Sequence, residues 1–154
     1  MTWQQLESEG KVRSHVTSAQ EVANLRDVVG RDLEDAQIPE LSADRRFATA
    51  YNAALQTAKM VTALSGYRTS GLGAHQTAFQ AVKVAMGTEV HPLMNYFDAC
   101  RRKRNSVDYD LAGVATETET KTLLEKAEEF RVLAEAWISE NHPQFAFEEP
   151  PNHP

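Results

Sequence analysis

Apolar side chains recur at spacings of three and four residues along most of this chain, and this pattern constrains the fold most strongly. The longest run begins after Ser42, an N-cap residue, and ends at Gly66. Its apolar stripe consists of Phe47, Tyr51, Ala54, Leu55, Ala58 and Leu64. No segment alternates apolar and polar residues for long enough to indicate a strand. The pattern therefore predicts an all-α protein.

Capping residues mark where other helices begin. Three pairs have the spacing of a capping box, in which a Thr and a Gln or Glu satisfy each other's backbone amides: Thr2 with Gln5, Thr17 with Gln20, and Thr116 with Glu119. Two further apolar stripes run from His75 to Met86 and from Val90 to Cys100. We expect an up-down bundle of four to five helices, in which four main helices follow a small N-terminal one.

The length of 154 residues suits one domain with a sizeable core. We expect a short N-terminal helix and extended arm over residues 1–16, and a helical bundle over 17–141. Residues 142–154 are rich in Pro and acidic side chains, so we expect a tail that is docked or disordered.

Charge and cysteine content exclude several classes of protein. A net charge of -6 argues against a surface that binds nucleic acid or anionic membrane throughout, although a local basic site remains possible. A single cysteine, Cys100, cannot form an internal disulfide, and the chain does not open with a signal peptide. No window approaches the roughly 18 apolar residues of a membrane span. We therefore expect a cytoplasmic protein with no membrane partner.

Metal and cofactor motifs are missing from the sequence. None of the five histidines pairs with another at a spacing of three or four on a predicted helix. No glycine-rich loop of the P-loop or dinucleotide type follows a strand. We expect neither a metal nor a cofactor.

The most unusual stretch is the basic run "CRRKRNSVDYD", Cys100 to Asp110. Arg104 follows Phe97 by seven residues, which places it about 20° from the same side of a helix. A guanidinium on this apolar line is costly unless it is paired or faces a cleft or a partner subunit. We therefore interpret Arg104 as a site residue, and Asn105 with it.

The other cations of the run have a plainer interpretation. Arg101, Arg102 and Lys103 fan around the helix, and Asp98 has the spacing to pair with Arg102. Solvated positions at a helix end are the more frequent role for such cations, since they complement the helix dipole. Ligand binding by these three side chains is the weaker alternative.

Tyr109 and His75 complete the candidate set. In an unbroken helix Tyr109 would lie about 140° from Arg104, on another face. A break at Asn105, with Ser106 opening a new turn, would fold Tyr109 back beside Arg104. His75 follows two glycines at a predicted helix start, where a phosphate can bind, although capping or packing is the more frequent role. His75 is therefore a secondary candidate.

Several segments together resemble the HEPN superfamily of all-α domains. "RRKRNSVDYD" is similar to the variant Arg-Asn signature of a bacterial subgroup, in which Tyr follows the Arg-Asn pair. "GLGAHQTAFQAV" is similar to the Gly-His helix start of that subgroup, and "DRRFATAYNAALQTA" to its second helix. The similarity covers residues 17–141.

The resemblance implies a homodimer in which the Arg-Asn helix ends of two subunits meet around a cleft. In active members, the Arg and a His four to six residues later cleave RNA without a metal, and the 2′-hydroxyl attacks the neighbouring phosphate. Arg104 matches the motif Arg and Asn105 the polar residue after it, while Tyr109 stands where the His would be. A Tyr, with an ordinary pKa of about 10, is a poor general base at neutral pH.

Three functional alternatives follow. One is a domain that binds RNA, a nucleotide or a partner protein at a cleft of Arg104, Asn105 and Tyr109. Another is a metal-independent ribonuclease, such as a toxin controlled by a regulatory protein, in which Tyr109 or another group replaces the missing His. The third is that Arg104 and Asn105 seal the dimer by hydrogen bonding to helix ends.

Overall fold

The computed structural model of the protein describes residues 1–108 and 112–148. Over these residues the predicted all-α fold is confirmed, with one small two-stranded ribbon in addition. The helices in chain order are α1 (Trp3–Ser8), α2 (Ala19–Asp35), α3 (Ala43–Leu64), α4 (Ala74–Met86), α5 (His91–Asp108) and α6 (Glu117–Asn141). Single 3₁₀ turns precede α5 at Thr88–Val90 and follow α6 at Pro143–Phe145.

Capping side chains fix the helix starts. Thr2 forms a full capping box with Gln5, and Thr116 forms one with Glu119, as predicted. The predicted cap of α2 was wrong by one residue, because Ser18 accepts the hydrogen bond from the Glu21 amide. The Thr17 hydroxyl instead donates to the Glu21 carboxylate at 2.6 Å.

Helix α3 is the central element of the fold, and it packs against α2, α4, α5 and α6. Small alanines along α3 allow these neighbours to approach closely. An aromatic cluster continues the core from α3 into α4, α5 and α6, and its rings are Phe47, Tyr51, Phe79, Phe97 and Phe130. Trp137 of α6 is only half-buried and packs at the edge of this core.

A short antiparallel ribbon joins the N-terminal segment to the bundle. Strand β1 (Val12–Ser14) pairs with β2 (Tyr67–Thr69), so that Arg13 lies opposite Arg68. The sequence predicted an extended arm for the first strand and no strand for the second. The Trp3 ring stacks on Tyr67 with 4.6 Å between ring centroids. Because three-residue strands carry too little periodicity to detect, this ribbon was not predicted.

Helix α5 is unbroken at the position where a turn would fold the chain back toward Arg104. Asn105 and Ser106 are both helical, and α5 is described as far as Asp108. The Ser106 hydroxyl donates to the Arg102 carbonyl at 3.2 Å, a bond back to the preceding turn that lets Ser remain inside a helix. The break at Asn105 that the sequence permits is therefore not formed. Tyr109 lies outside the described residues.

Asp44 anchors the segment that leads into α6. Its carboxylate accepts hydrogen bonds from the amides of Gly113 and Ala115, both at 2.8 Å. These amides hold the pKa of Asp44 below its usual range, the Ala115 amide most strongly. The N-terminal end of α3 thereby fixes the segment that follows the basic run.

The described part of the C-terminal tail folds back on the bundle. Arg26 of α2 donates two hydrogen bonds to Glu135 of α6, at 2.6 and 2.8 Å. It also donates to the Phe145 carbonyl at 2.9 Å, and its Cζ lies 5.5 Å from the centroid of the Phe147 ring. Residues 142–148 are therefore docked through Arg26. The predicted domain division at residues 16 and 141 stays a prediction.

None of the described helices combines the length and apolar character needed to cross a membrane. Among residues 1–108 and 112–148, no group of three His, Cys, Asp or Glu side chains is placed to hold a metal ion.

Candidate functional site

Arg104 and His75 approach the same buried ring, that of Tyr51. The Arg104 Cζ lies 5.8 Å from the Tyr51 ring centroid, and the His75 and Tyr51 centroids lie 6.1 Å apart. The three residues come from α5, α4 and α3 respectively. Arg104 and His75 are both half-buried, whereas Tyr51 is fully buried. Helix packing thus brings two candidates that lie far apart in the sequence to the same ring.

The position of Arg104 follows from the apolar side of α5. Phe97 is fully buried against Phe79 and Phe130, so this face of α5 packs into the core. Arg104, two turns later, emerges at the end of the same face. The aromatic ring of Tyr51 gives its guanidinium a cation–π contact that partly offsets the cost of burial.

His75 lies in the first turn of α4. Gly73 is the N-cap residue and adopts φ 75°, a left-handed conformation that favours glycine. Since Gly73 has no side chain, it cannot cap the first amides of the helix as Ser or Thr would. Exposed amides at a helix N-terminus are suited to anions.

Electrostatics distinguish His75 from an ordinary surface histidine. Burial lowers its pKa, and the positive charges of Arg104, Lys59 and Arg101 lower it further. His75 is therefore biased toward the neutral imidazole at neutral pH, the form that can accept a proton. The effect of Arg104 on this pKa also means that the two side chains act on each other electrostatically.

Tyr51 carries a buried hydroxyl at this site. Burial raises the pKa of Tyr51, so the hydroxyl keeps its proton. No other described residue forms a hydrogen bond with this hydroxyl. The apolar spacing predicted Tyr51 in the core, which is confirmed, but no pattern in the sequence indicated that its ring also contacts two site residues.

Of the other two residues of the predicted cleft, Asn105 and Tyr109, the structure describes only Asn105. Asn105 is half-buried in the last turn of α5, directly after Arg104. The two follow each other along the helix and so differ in direction by about 100°. With Tyr109 outside the described residues, the predicted Arg104–Tyr109 site stays a prediction.

The three flanking cations have different environments. Arg102 is exposed, as predicted. Asp98 pairs with Arg101 at 3.1 Å rather than with Arg102, the partner predicted from spacing. Lys103 donates to Glu119 of α6 and to the Val114 carbonyl, the latter at 3.3 Å. Arg101 and Lys103 are therefore half-buried structural cations rather than fully solvated ones.

A pocket on another side of α5 contains Cys100 and Tyr96. It has a volume of about 290 Å³ and is mainly apolar, with Phe47 and Lys103 also in its lining. Burial raises the pKa of the Cys100 thiol, which keeps it protonated and weakly nucleophilic. This pocket lacks the reactive groups that Arg104 and His75 supply.

Comparison with known protein families gives a match over most of the bundle. A family model described as SAV_6107-like HEPN matches residues 38–135, which span α3, α4, α5 and most of α6. Both Arg104 and His75 lie inside the matched region. No curated protein and no solved structure matches the chain.

Proposed function

Because the chain belongs to the SAV_6107-like HEPN family, we propose that it binds RNA by holding a backbone phosphate at Arg104. The observation that carries this proposal is the approach of Arg104 and His75 to the Tyr51 ring from separate helices. The same site would accept a nucleotide, since the group recognised is the phosphate. A partner protein with an acidic or phosphorylated segment is the remaining candidate ligand.

The chemistry of phosphate binding fits these residues. A guanidinium can donate two parallel hydrogen bonds to a phosphate, and its planar group stacks on aromatic rings. The Tyr51 ring therefore supports Arg104 in a fixed orientation. First-turn amides of α4, next to His75, offer further donors to an anion.

Metal-independent cleavage of RNA is the second candidate function, and the lowered pKa of His75 favours it. In this reaction the neutral His75 imidazole takes the proton of the ribose 2′-hydroxyl. The 2′-oxygen attacks the phosphorus, and the bond from phosphorus to the 5′-oxygen breaks. The products are a 2′,3′-cyclic phosphate and a 5′-hydroxyl, whose proton comes from water or from an acid such as Tyr109. Arg104 would stabilise the negative charge that develops on the phosphate.

Homodimerisation is part of the proposal, and the family resemblance supports it. The ends of α5 from two subunits would meet, so that two Arg104 sites share one cleft. A regulatory partner that covers this cleft would control the activity, as in a toxin and its antitoxin. If Arg104 and Asn105 instead only seal the dimer, their substitution will yield monomers.

The deciding experiment is incubation of a mixed-sequence RNA in EDTA with the wild type, Arg104→Gln and His75→Gln. Circular dichroism and light scattering would check the fold and mass of each protein. Cleavage to cyclic phosphate ends by the wild type alone would support the ribonuclease. RNA binding without cleavage would support a binding domain. The proposal would be overturned if the wild type neither binds nor cleaves RNA.

A further inference from the structure

The β-ribbon places two arginines side by side. Strand register sets Arg13 directly opposite Arg68, and both side chains are exposed. Directly opposed residues share one face, with about 4.5–5.5 Å between their Cβ atoms, and like charges in these positions destabilise the pair. Neither arginine forms an ion pair with any other residue that the structure describes. A bound anion would relieve this repulsion.

Lys59 connects the ribbon to the Arg104 site. It lines a pocket of about 250 Å³ together with Arg68 and His15. Its charge also lowers the pKa of His75. Lys59 therefore shares a pocket with Arg68 and is near enough to His75 to act on its charge. In a chain whose net charge is -6, such a concentration of cations creates a distinct local field.

One carboxylate, Glu21, also lines the pocket. It accepts hydrogen bonds from the Thr17 hydroxyl at 2.6 Å and from the His15 ring at 2.8 Å. The positive charge of Arg68 contributes to lowering the pKa of Glu21, after these closer contacts. Glu21 thus offsets part of the charge inside the pocket. Arg13, which is exposed and lies opposite Arg68, adds a second positive charge that is not among the residues lining the pocket.

We propose that Arg13 and Arg68 bind the backbone of the same RNA strand whose phosphate lies at Arg104. The ligand would then be single-stranded RNA of several nucleotides, since Arg104 and the ribbon arginines would each hold a different phosphate of one strand. Guanidinium groups recognise phosphates of any sequence, so the ribbon adds affinity without base specificity. This inference rests on the proposed function and names its substrate class.

Fluorescence anisotropy with labelled single-stranded RNAs of about 4 and about 16 nucleotides tests this surface. The double variant Arg13→Gln/Arg68→Gln is compared with Lys121→Gln/Arg131→Gln, which removes the same charge from exposed positions on α6. Titrations at several salt concentrations, all in EDTA, give the salt dependence of binding.

The ribbon variant should bind the longer RNA about tenfold or more weakly than the wild type does. The slope of log affinity against log salt concentration should be shallower by about 0.7 for each phosphate that the two arginines no longer neutralise. Binding of the short RNA at Arg104 should stay unchanged, and the α6 control should behave as the wild type does. Thermal unfolding should show the ribbon variant at least as stable as the wild type, since a like-charge pair is removed.

The proposal that the ribbon binds RNA would be overturned if the ribbon variant and the wild type have equal affinity and an equal salt dependence. That result would not affect the proposed site at Arg104. An equal loss of affinity in the α6 control would also overturn the ribbon proposal, because net charge would then explain the result. If the wild type binds neither RNA, the ribbon surface and the proposed function fail together.

Discussion

The Arg104 guanidinium lies over the ring of Tyr51, with Cζ 5.8 Å from the ring centroid. This contact joins a core residue of α3 to a site residue of α5. Because the His75 ring also lies 6.1 Å from Tyr51, one buried ring positions both groups. Tyr51 is therefore a positioning residue for the candidate site.

Substitutions of Tyr51 separate its ring from its hydroxyl. Tyr51→Phe keeps the ring and removes a buried hydroxyl, so the free energy of unfolding should change by less than about 1 kcal/mol. Tyr51→Leu removes the ring and should destabilise the fold by about 1–3 kcal/mol. RNA binding should persist in the first variant and weaken in the second. Urea unfolding and anisotropy measure these effects, and a large loss of stability in Tyr51→Phe would show that the hydroxyl has a partner.

The pH dependence of stability should report on His75. Its pKa is lowered in the folded state, chiefly by burial, so the unfolded chain binds the proton more readily. The His75 contribution should therefore be complete above its unfolded pKa, about 6.5. This stabilising contribution should be lost as the pH falls from the unfolded pKa through the lower pKa of His75 in the folded state.

His75→Gln is the variant that isolates this effect. As the pH falls below about 6.5, the free energy of unfolding of the wild type should fall relative to that of His75→Gln. Urea unfolding at several pH values measures it, and His142→Gln serves as the control. A difference that does not vary with pH would contradict the lowered pKa.

Asp44 should control the order of the segment before α6. Asp44→Ala removes the acceptor of the Gly113 and Ala115 amides, so both amides should exchange hydrogen faster with solvent. In the wild type the same protection should be lost as the pH falls through the lowered pKa of Asp44. Hydrogen exchange measures both effects, with Asp27→Ala as an exposed control. Unchanged exchange in Asp44→Ala would argue against the anchor.

Arg26 should hold the docked part of the C-terminal tail. Arg26→Gln breaks the paired hydrogen bonds to Glu135 and the bond to the Phe145 carbonyl. We expect the stability to fall by about 2 kcal/mol, because these hydrogen bonds are charge-assisted. The amides of Phe145 and Ala146 should exchange faster with solvent. If their exchange stays slow, other contacts hold the tail.

Local sequence signals predicted the helices well, and their errors have local causes. Capping pairs and apolar stripes act within a few residues, which is why the starts of α1 and α6 were found. Thr17 and Ser18 can both cap a helix, and only the folded geometry shows that Ser18 does. Asn105 and Ser106 favour a break, yet Ser106 bonds back to Arg102 and remains helical.

Contacts between distant residues were not predictable in the same way. Arg104 was singled out because it continues the apolar side of α5, and His75 because it follows two glycines. Nothing in the spacing of these residues indicates that both contact Tyr51. The opposition of Arg13 and Arg68 likewise depends on strand register, which the sequence of two three-residue strands does not specify.

The most direct test of the central claim compares the RNA affinity of Arg104→Gln with that of Arg102→Gln. Both variants remove one positive charge from the same helix, but Arg102 is exposed and Arg104 contacts Tyr51. Anisotropy with a labelled single-stranded RNA in EDTA should show at least about a tenfold weaker affinity for Arg104→Gln. Arg102→Gln should bind nearly as the wild type does. Equal affinity of the two variants would contradict a phosphate site at Arg104.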